Sequence, residues 1–335
     1  MKTIIPAGYL PKRSIRETET AIRDLRDIFQ VELAEKLNLL RVSAPLFVKK
    51  DSGFNDNLNG VERPVSFETK LEPDTEIQIV HSLAKWKRFA LKRYGFKMHE
   101  GLFTNMNAIR RDEDVDNLHS IYVDQWDWEK IIAKDERNDA TLEKVVKEVY
   151  SAILAMRAKL AEKYDNLYEF PAQVHFVTSE ELEKRWPDLT PKEREDKICE
   201  EFGAVFIKHI GGKLPITKKP HDLRAPDYDD WTLNGDLLFW NPVLKCAFEV
   251  SSMGIRVDEV ALKKQLELTG TTDRVKLPFH EMLMKGELPY TIGGGIGQSR
   301  LCMLLLKKAH IGEVQASQWP EEVEKACAEG GITLL

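Results

Sequence analysis

The chain has 335 residues, of which 42% are hydrophobic and 31% charged, and its formal net charge is −6. This composition is typical of a soluble globular protein, and the length fits one large domain or two smaller ones. Proteins whose main task is to grip nucleic acid usually carry a basic excess, which is missing here, and no apolar run is long enough to cross a membrane. We therefore expect neither a nucleic-acid partner nor a membrane anchor.

The four cysteines are scattered along the chain and form no C-x-x-C pair. This spacing disfavours a zinc site or a disulfide framework and favours a reducing compartment. The first residues lack the basic segment and apolar stretch of a signal peptide, so we expect a cytoplasmic protein. Because Lys2 rather than cysteine follows Met1, the sequence also argues against a glutamine-hydrolysing amidotransferase that uses a freed N-terminal cysteine.

Two long amphipathic helices and several short strands are predicted. Ser14 and Glu17 form a capping-box pattern ahead of apolar residues at helical spacing, which predicts a helix over 15–38. The same spacing predicts a second helix from Thr141 to Lys163. Alternation and turn signals predict strands at Ile77–Ser82, Ile121–Trp128, Gln173–Thr178, Ala204–Ile210, Leu237–Trp240 and Ala247–Ser251.

The order of these elements predicts the fold class. The strands do not alternate with helices as a doubly wound parallel sheet requires, so we predict an α+β fold in which helices flank an antiparallel sheet. No repeat, low-complexity tract or long linker divides the chain. We therefore expect a single domain, 1–335, with a mainly helical insertion at about 139–200.

The first segment that could carry chemistry is Val80-His-Ser-Leu-Ala-Lys-Trp-Lys-Arg88, a predicted strand end that runs into a helix. Residues two apart on a helix diverge, so only one of Lys85 and Lys87 can point into a site at this strand end. The alternative is a helix start whose lysines are solvated.

The second segment is a charged loop, Arg110-Arg-Asp-Glu-Asp114, that leads into the strand Ile121–Trp128. Two-residue alternation puts Gln125 and Asp127 side by side on one face and the tryptophans on the other. The resulting polar floor suits a ligand that carries an amine. The alternative is a sheet face covered by water.

The third segment is the acid-rich Arg224-Ala-Pro-Asp-Tyr-Asp-Asp-Trp231, followed by Asp236 and by Phe248-Glu-Val-Ser-Ser252. Asp236 precedes one predicted strand and Glu249 lies in the next. Carboxylates on neighbouring strands can hold Mg²⁺ against the phosphates of ATP, because Mg²⁺ takes few protein oxygens. Solvated loop acids are the alternative.

The fourth segment is Thr291–Arg300, T-I-G-G-G-I-G-Q-S-R, ahead of an apolar run. Its glycines allow a backbone to approach a flat or phosphorylated ligand closely, and Arg300 falls near the first turn of a helix, where it can meet phosphate. It is not a Walker A loop, and Gln298 breaks the G-x-G-x-x-G pattern. The alternative is a glycine hinge before a core helix.

Together these segments resemble the motif set of the class II aminoacyl-tRNA synthetases, in the aspartate and asparagine branch. The resemblance is closer still to the ammonia-dependent asparagine synthetases, the aspartate–ammonia ligases, which share that catalytic core. Six segments in the same order carry it over nearly the whole chain: Asp56-Asn-Leu-Asn-Gly60, His81–Lys87, Tyr122–Trp128, Arg224–Trp231, Ser251–Arg256 and Ile292–Arg300.

The resemblance implies an AMP-forming ligase with the class II catalytic-core fold. Its substrates would be L-aspartate, ATP and ammonia, its product asparagine, its intermediate β-aspartyl-AMP and its metal Mg²⁺. It also implies a homodimer that pairs partly through the helix and strand of 15–50, although the apolar face of this helix could equally be core.

The resemblance also assigns residues to the two substrates. Lys87 and Arg256 would hold the carboxylates of aspartate, and Asp127 would suit its amino group. The implied aspartate-binding residues are Ser82, Lys87, Gln125, Asp127 and Arg256. The implied ATP-binding residues are Arg110, which also takes part in catalysis, Glu249, Ser252, Gly295 and Arg300.

Two further assignments concern the metal and ammonia. Asp236 with Glu249 would hold Mg²⁺. Asp56 and Asp229 are candidates for binding ammonium and accepting its proton, and the sequence leaves the choice between them open.

Two other readings remain at this point. One is an aspartyl- or asparaginyl-tRNA synthetase, which normally carries an anticodon-binding barrel ahead of the core, where this chain has one predicted helix. The other is a synthetase-like regulatory protein without catalysis, which would not need a full phosphate and metal set. The chain departs from wider class II relatives at Arg111, in the phosphate loop, and between Trp231 and Leu233, where some relatives have a longer loop that could act as a lid.

Overall fold

The computed structural model of the protein describes residues 3–56, 58 and 62–335. Met1 and Lys2, and three residues of the predicted segment Asp56–Gly60, lie outside the described residues. The strands are β1 (Leu39–Arg41), β2 (Phe47–Lys49), β3 (Ser66–Thr69), β4 (Glu72–Ile79), β5 (Gly101–Ile109), β6 (Tyr122–Ile131), β7 (His175–Thr178), β8 (Ala204–Lys208), β9 (Asp229–Asn241), β10 (Cys246–Arg256) and β11 (Thr291–Gly297). The α-helices are α1 (Ile15–Leu37), α2 (Ala84–Arg93), α3 (Asp139–Ala161), α4 (Ser179–Arg185), α5 (Pro191–Phe202), α6 (Glu259–Thr269), α7 (Pro278–Met284), α8 (Gln298–Leu305) and α9 (Glu321–Glu329).

The main sheet has eight strands in the order β1-β5-β6-β11-β10-β9-β8-β7. The six strands from β5 to β8 in this order are antiparallel to their neighbours, which confirms the prediction for the centre of the sheet. At its edges the prediction is wrong, because β1 runs parallel to β5 and β7 parallel to β8. The helices α4 and α5 supply the long crossover that the parallel pair β7–β8 requires. A separate antiparallel sheet has the order β2-β4-β3.

The helix α1 begins at the predicted capping box. The hydroxyl of Ser14 accepts a hydrogen bond from the amide of Glu17, whose carboxylate accepts one from the amide of Ser14. The apolar stripe of α1 is buried, and Phe29 packs 4.6 Å, ring centre to ring centre, from Trp126 of β6. This face therefore belongs to the core of its own chain, and any subunit contact of α1 uses another face.

The strand β6 fixes the orientation of the site. Trp126 and Trp128 are 1% and 0% exposed and lie in the main core, so the residues between them face the other side of the sheet. This confirms the predicted alternation and places Gln125 and Asp127 on one polar face. The neighbouring strand β5 was not predicted, because its first four residues are all buried and show no alternation.

The strand β9 corrects two predictions. It begins at Asp229 rather than at the predicted Leu237, so Asp236 lies inside the strand and not before it. The span from Trp231 to Leu233, treated as a short loop, is also part of β9 and cannot act as a lid. The strand β10 pairs with Asp229 and again from Asn234 onwards, and β8 pairs from Gly235, so the ladder is irregular at 230–233.

The segment expected to be a helical insertion is mixed. It contains α3, α4 and α5, but β7 adds the outermost strand to the main sheet. Among the described residues, none of the helices combines the length and apolar character that a membrane crossing needs.

A buried histidine near the C-terminus is expected to make stability depend on pH. His310 is fully buried, its Nδ1 accepts a hydrogen bond from the amide of Gly312 at 3.0 Å, and its ring lies 4.7 Å from that of Trp319. Burial lowers the pKa of His310 from 6.5 to about 4. The unfolded chain then binds more protons between these values, so this contribution to stability is complete above pH 6.5 and is lost as the pH falls towards 4.

The variant His310→Asn retains an acceptor for the Gly312 amide but cannot titrate. In chemical denaturation, the free energy of unfolding of the wild type should fall by about 2 kcal/mol more than that of this variant between pH 7.5 and pH 5. If the free energy of unfolding fell equally in both proteins, His310 would not account for the pH dependence of stability.

Candidate active site

A cavity of about 510 Å³ opens over the face of the main sheet that carries Gln125 and Asp127. It brings together twelve of the thirteen residues predicted from the sequence as site residues. They are Asp56, Ser82, Lys87, Arg110, Gln125, Asp127, Asp229, Glu249, Ser252, Arg256, Gly295 and Arg300. Asp236 does not line the cavity.

The glycines of β11 make space for side chains of the neighbouring strands. Gly295 lies between Asp127 of β6 and Ser252 of β10. A Cβ atom at Gly295 would lie 2.5 Å from Oε1 of Gln125 and 2.8 Å from Oδ1 of Asp127. The sequence suggested that these glycines admit a ligand. At Gly295 the observed reason is that two polar side chains cross over the strand towards the cavity.

Lys87 is the lysine of α2 that reaches the floor. Its Nζ lies 3.2 Å from Oδ1 of Asp127 and donates to the carbonyl of Gly294 at 3.0 Å. Burial lowers the pKa of Lys87, and Asp127 opposes this shift. Lys85 points elsewhere, to Asp227, as expected for residues two apart on a helix.

Oδ2 of Asp127 adds a free acceptor to this floor. It is buried and has no hydrogen-bond partner within the described part of the chain. A buried carboxylate oxygen without a partner is unfavourable, so a ligand that donates a hydrogen bond would stabilise it.

Glu129 fixes the orientation of Arg256 and was missed in the sequence. Its carboxylate accepts from Nη2 of Arg256 at 2.7 Å, from Nε at 3.0 Å, and from the hydroxyl of Thr291 at 2.7 Å. Burial opposes the ionisation of Glu129, but Arg256 and Lys87 outweigh it and hold the pKa below its usual value. The alternation that selected Gln125 and Asp127 continues to position 129 and could have identified it.

Arg256 also pairs with Asp229. Its Nη1 donates to Oδ1 of Asp229, and the guanidinium lies 5.8 Å from the ring centre of Tyr228. Burial raises the pKa of Asp229 and the charge of Arg256 opposes this shift. Asp229 is therefore held by an internal cation, whereas the guanidinium still borders the cavity.

Two other arginines, Arg110 and Arg300, also line the cavity. Arg110 follows β5, and its Nε is buried without a hydrogen-bond partner among the described residues. Arg300 is in the first turn of α8, where Nη1 donates to the carbonyl of Glu249 at 3.0 Å and lies 3.7 Å from its Oε2. Arg110 and Arg300 thus present positive charge to the cavity, and Glu249 adds one carboxylate.

Asp236 and Glu249 lie on the paired strands β9 and β10, with Asp236 opposite Ser252. Asp236 is bound by Arg224, which sequence analysis gave no role, and its Oδ1 is buried with no partner in the described residues. Burial, with the nearby charge of Glu249, raises the pKa of Asp236 to about 8. A cation shared by the two carboxylates would give Oδ1 of Asp236 a partner and would offset the repulsion between Asp236 and Glu249.

The described residues contain no group of three or more histidine, cysteine, aspartate or glutamate side chains placed to hold a metal. The described part of the chain therefore offers two carboxylates here, Asp236 and Glu249. This donor set fits Mg²⁺, which leaves most of its coordination positions to water and phosphate oxygens.

Asp56 lies at another edge of the cavity and is only 2% exposed. Its Oδ1 accepts a hydrogen bond from the amide of Leu58 at 2.9 Å, and its carbonyl lies 3.1 Å from Nδ1 of His81. Burial raises the pKa of Asp56. The two acids that are candidates for binding ammonium therefore differ, since Asp229 is paired with Arg256, whereas Asp56 has no arginine partner among the described residues.

The family model described as aspartate-ammonia ligase matches residues 16–331 of the chain. The chain belongs to the aspartate–ammonia ligase family. This confirms the family that the six segments indicated.

Relatives in the family match over their whole length. A protein named aspartate–ammonia ligase from Lactobacillus delbrueckii subsp. bulgaricus is 65% identical, over 100% of this chain and 99% of that protein. Proteins of the same name from Limosilactobacillus reuteri and Clostridium perfringens are 63% and 62% identical, over 100% of this chain and 100% and 99% of theirs.

Solved structures with the same fold are much more distant in sequence. An asparaginyl-tRNA synthetase from Entamoeba histolytica, in complex with asparaginyl-adenylate, has a TM-score of 0.66 at 14% identity, covering 92% of this chain and 68% of that chain. The asparaginyl-tRNA synthetase from Pyrococcus horikoshii has a TM-score of 0.62 at 15% identity, covering 91% and 71%. At these identities the likeness concerns the fold, and it confirms the predicted class II catalytic core.

Proposed function

We propose that this member of the aspartate–ammonia ligase family joins ammonia to the β-carboxyl group of L-aspartate. ATP first transfers AMP to that carboxylate and releases diphosphate, and ammonia then displaces AMP. The observation that carries the proposal is that a single cavity is lined both by the polar residues of β6 and by two further arginines, Arg110 and Arg300. In the Entamoeba synthetase the same fold is seen with an aminoacyl adenylate.

The floor suits the three charged groups of aspartate. The unpartnered Oδ2 of Asp127 would accept a hydrogen bond from the amino group. Lys87 and Arg256 would hold the carboxylates, because both are buried cations that border the cavity. Ser82 and Gln125 would complete the polar lining.

Other residues of the cavity suit ATP. Arg110, placed with an unpartnered Nε, would meet the α-phosphate, and Arg300 would lie against the nucleotide. Ser252 and the backbone at Gly295 border the same space. Fixed positive groups of this kind stabilise the charge that develops on the phosphate as AMP is transferred.

Glu249, which lines the cavity, would hold Mg²⁺ together with Asp236, which would have to exchange its arginine partner Arg224 for the metal. When bound, the metal would neutralise charge on the phosphates of ATP. Its support here is the buried, unpartnered Oδ1 of Asp236 beside a second carboxylate.

For ammonium we favour Asp56 over Asp229. Asp229 is already paired with Arg256, so binding a second cation there would compete with an internal ion pair. Within the described part of the chain, no lysine, arginine or histidine nitrogen lies within 4.0 Å of the Asp56 carboxylate.

The two acids are expected to behave differently when neutralised. Asp56→Asn should raise the KM for ammonium by at least about tenfold at pH 7 and leave aspartate-dependent adenylation near wild type, because only the second step needs a proton acceptor. Asp229→Asn should weaken aspartate binding instead, since Arg256 loses one partner. If the KM for ammonium were the same in Asp56→Asn and in the wild type, Asp56 would have no role in the ammonia step.

We also propose that the chain forms a homodimer through segment 15–50, using surface outside the buried stripe of α1. Five apolar side chains of this segment are exposed, and a second copy that covered them would remove them from water. They are Ile15, Val31, Leu40, Leu46 and Phe47.

The double variant Leu40→Asp and Phe47→Asp should convert the dimer to a monomer in light scattering. The same change at two exposed apolar residues elsewhere, Leu223 and Leu268, should not. A wild-type monomer at assay concentration would contradict the proposal.

One experiment tests the function directly. The protein is incubated with ATP, Mg²⁺, L-aspartate and ammonium in the absence of tRNA, and AMP and asparagine are measured. Aspartate-dependent exchange of labelled diphosphate into ATP reports the adenylation step alone. The proposed function would be refuted if neither AMP, asparagine nor diphosphate exchange were detected. If asparagine formed only with glutamine, glutamine and not ammonia would be the nitrogen donor.

A further inference from the structure

Arg224 connects the cavity to Asp236, the one predicted site residue that does not line it. The side chain of Arg224 lines the cavity and is 14% exposed. Its Nη2 donates a hydrogen bond to Oδ2 of Asp236, whose side chain is 9% exposed. The carboxylate proposed as a metal ligand is therefore held by a guanidinium that borders the same cavity.

The other donors of Arg224 are weakly engaged. Its Nη1 lies 3.0 Å from Oδ2 of Asp222, but the side chain of Asp222 is 57% exposed, and pairs open to water contribute little. Its Nε is buried with no hydrogen-bond partner within the described part of the chain. A buried donor without a partner is unfavourable, so an acceptor that entered the cavity would stabilise it.

The two carboxylates of the proposed metal pair each have an arginine beside them. Asp236 pairs with Ser252 and Leu238 pairs with Glu249, so Asp236 and Glu249 are diagonal neighbours on one face of the sheet. Nη1 of Arg300 lies 3.7 Å from Oε2 of Glu249, as a guanidinium also holds Asp236. The protein thus supplies its own cations to both acids.

Arg224 and a divalent cation compete for Asp236. Oδ1 of Asp236 is buried without a hydrogen-bond partner among the described residues and is suited to a cation, but Oδ2 is bound by Arg224. Two cations on one carboxylate repel each other, so each weakens the binding of the other. The phosphates of ATP carry the opposite charge and accept two parallel hydrogen bonds from a guanidinium.

We infer that Arg224 is a further ATP-binding residue that exchanges partners. It holds Asp236 in the free enzyme and moves to the phosphates of ATP when Mg²⁺ takes Asp236. This inference rests on the proposed function, in which ATP enters the cavity. Because ATP would draw the arginine away from the metal ligand, ATP and metal should bind cooperatively, and Arg224 should be a source of that cooperativity.

The first measurement is the affinity for metal in the absence of ATP. Mn²⁺ is the probe for the Mg²⁺ site, since electron paramagnetic resonance counts the free ion. The titration is made under argon at about pH 8.5, where protons compete less for carboxylates. Arg224→Met removes the charge with little loss of length, and it should bind Mn²⁺ about tenfold more tightly than wild type because the competing cation is gone.

The second measurement separates an exchange of partners from simple repulsion. The Mn²⁺ titration is repeated with bound α,β-methylene-ATP, which cannot transfer AMP, after correction for Mn²⁺ held by the free analogue. If Arg224 moves to the phosphates, the analogue should raise Mn²⁺ affinity about tenfold less in Arg224→Met than in wild type. If the arginine stayed at Asp236, the gain would be equal in both proteins, and the inference would be overturned.

Arg111→Met is the matched control, because Arg111 is exposed, does not line the cavity and loses the same charge. Its Mn²⁺ affinities should equal those of wild type. If Arg224→Met does not fold, Arg224→Gln decides on the same two measurements. Absence of aspartate-dependent diphosphate exchange in wild type refutes the proposed function and this inference together. Normal exchange with equal Mn²⁺ affinities in wild type and the Arg224 variant refutes only this inference.

Discussion

Replacing Glu129 with glutamine should lower the free energy of unfolding by about 3–5 kcal/mol. The carboxylate of Glu129 is fully buried and receives Arg256, Thr291 and the nearby charge of Lys87, 4.0 Å away. Glutamine keeps the shape but removes the negative charge and turns an amide donor towards the guanidinium. Arg256 then becomes a buried cation with one partner fewer, which is strongly unfavourable.

Chemical denaturation and the KM for aspartate measure this effect together. The KM should rise, because Arg256 and Lys87 border the cavity and both lose their common counter-charge. Glu287→Gln is the control, since its exposed pair with Lys92 contributes little to stability. Stability within 1 kcal/mol of wild type in Glu129→Gln would show that the pair is not a structural support of the site.

Replacing Arg110 with glutamine should reduce the rate of adenylation by about 10²–10³-fold. The guanidinium lines the cavity, and its Nε has no hydrogen-bond partner among the described residues, so it is available for the α-phosphate. The KM for ATP should change less than kcat, because the interaction strengthens as charge develops in the transition state. Aspartate-dependent diphosphate exchange measures both constants.

Arg111→Gln is the matched control for this prediction. Arg111 is adjacent in sequence but exposed, and it does not line the cavity. It should adenylate aspartate at nearly the wild-type rate. If Arg110→Gln and Arg111→Gln lost activity equally, the loss would reflect general charge in the loop and not a phosphate contact.

Much of the fold was predictable where local patterns are strong. The capping box and apolar stripe of α1 identified that helix to within one residue of its observed end. The tryptophans of β6 identified its buried face, and therefore the face that carries Gln125 and Asp127. These patterns depend only on residues close together in sequence, so they can be read without knowing the partners.

Other elements could not be predicted because long-range pairing controls them. The strand β5 begins with four consecutive buried residues and alternates only from Thr104 onwards, and the parallel pairing of β7 with β8 depends on where α4 and α5 return the chain. The extension of β9 back to Asp229 also depends on its pairing with β10. This extension moved Asp236 from a loop into a strand.

The sequence by itself determined the family, the catalytic-core fold and twelve residues that line the cavity, because these follow from six ordered segments, from their neighbours in the chain and from alternation along β6. Only the tertiary structure decided how those residues are paired. It paired Glu129 with Arg256, bound Asp229 to that arginine, and paired Lys85 with Asp227. Such pairings join residues tens to more than a hundred positions apart, and burial makes their strength depend on geometry that local sequence does not contain.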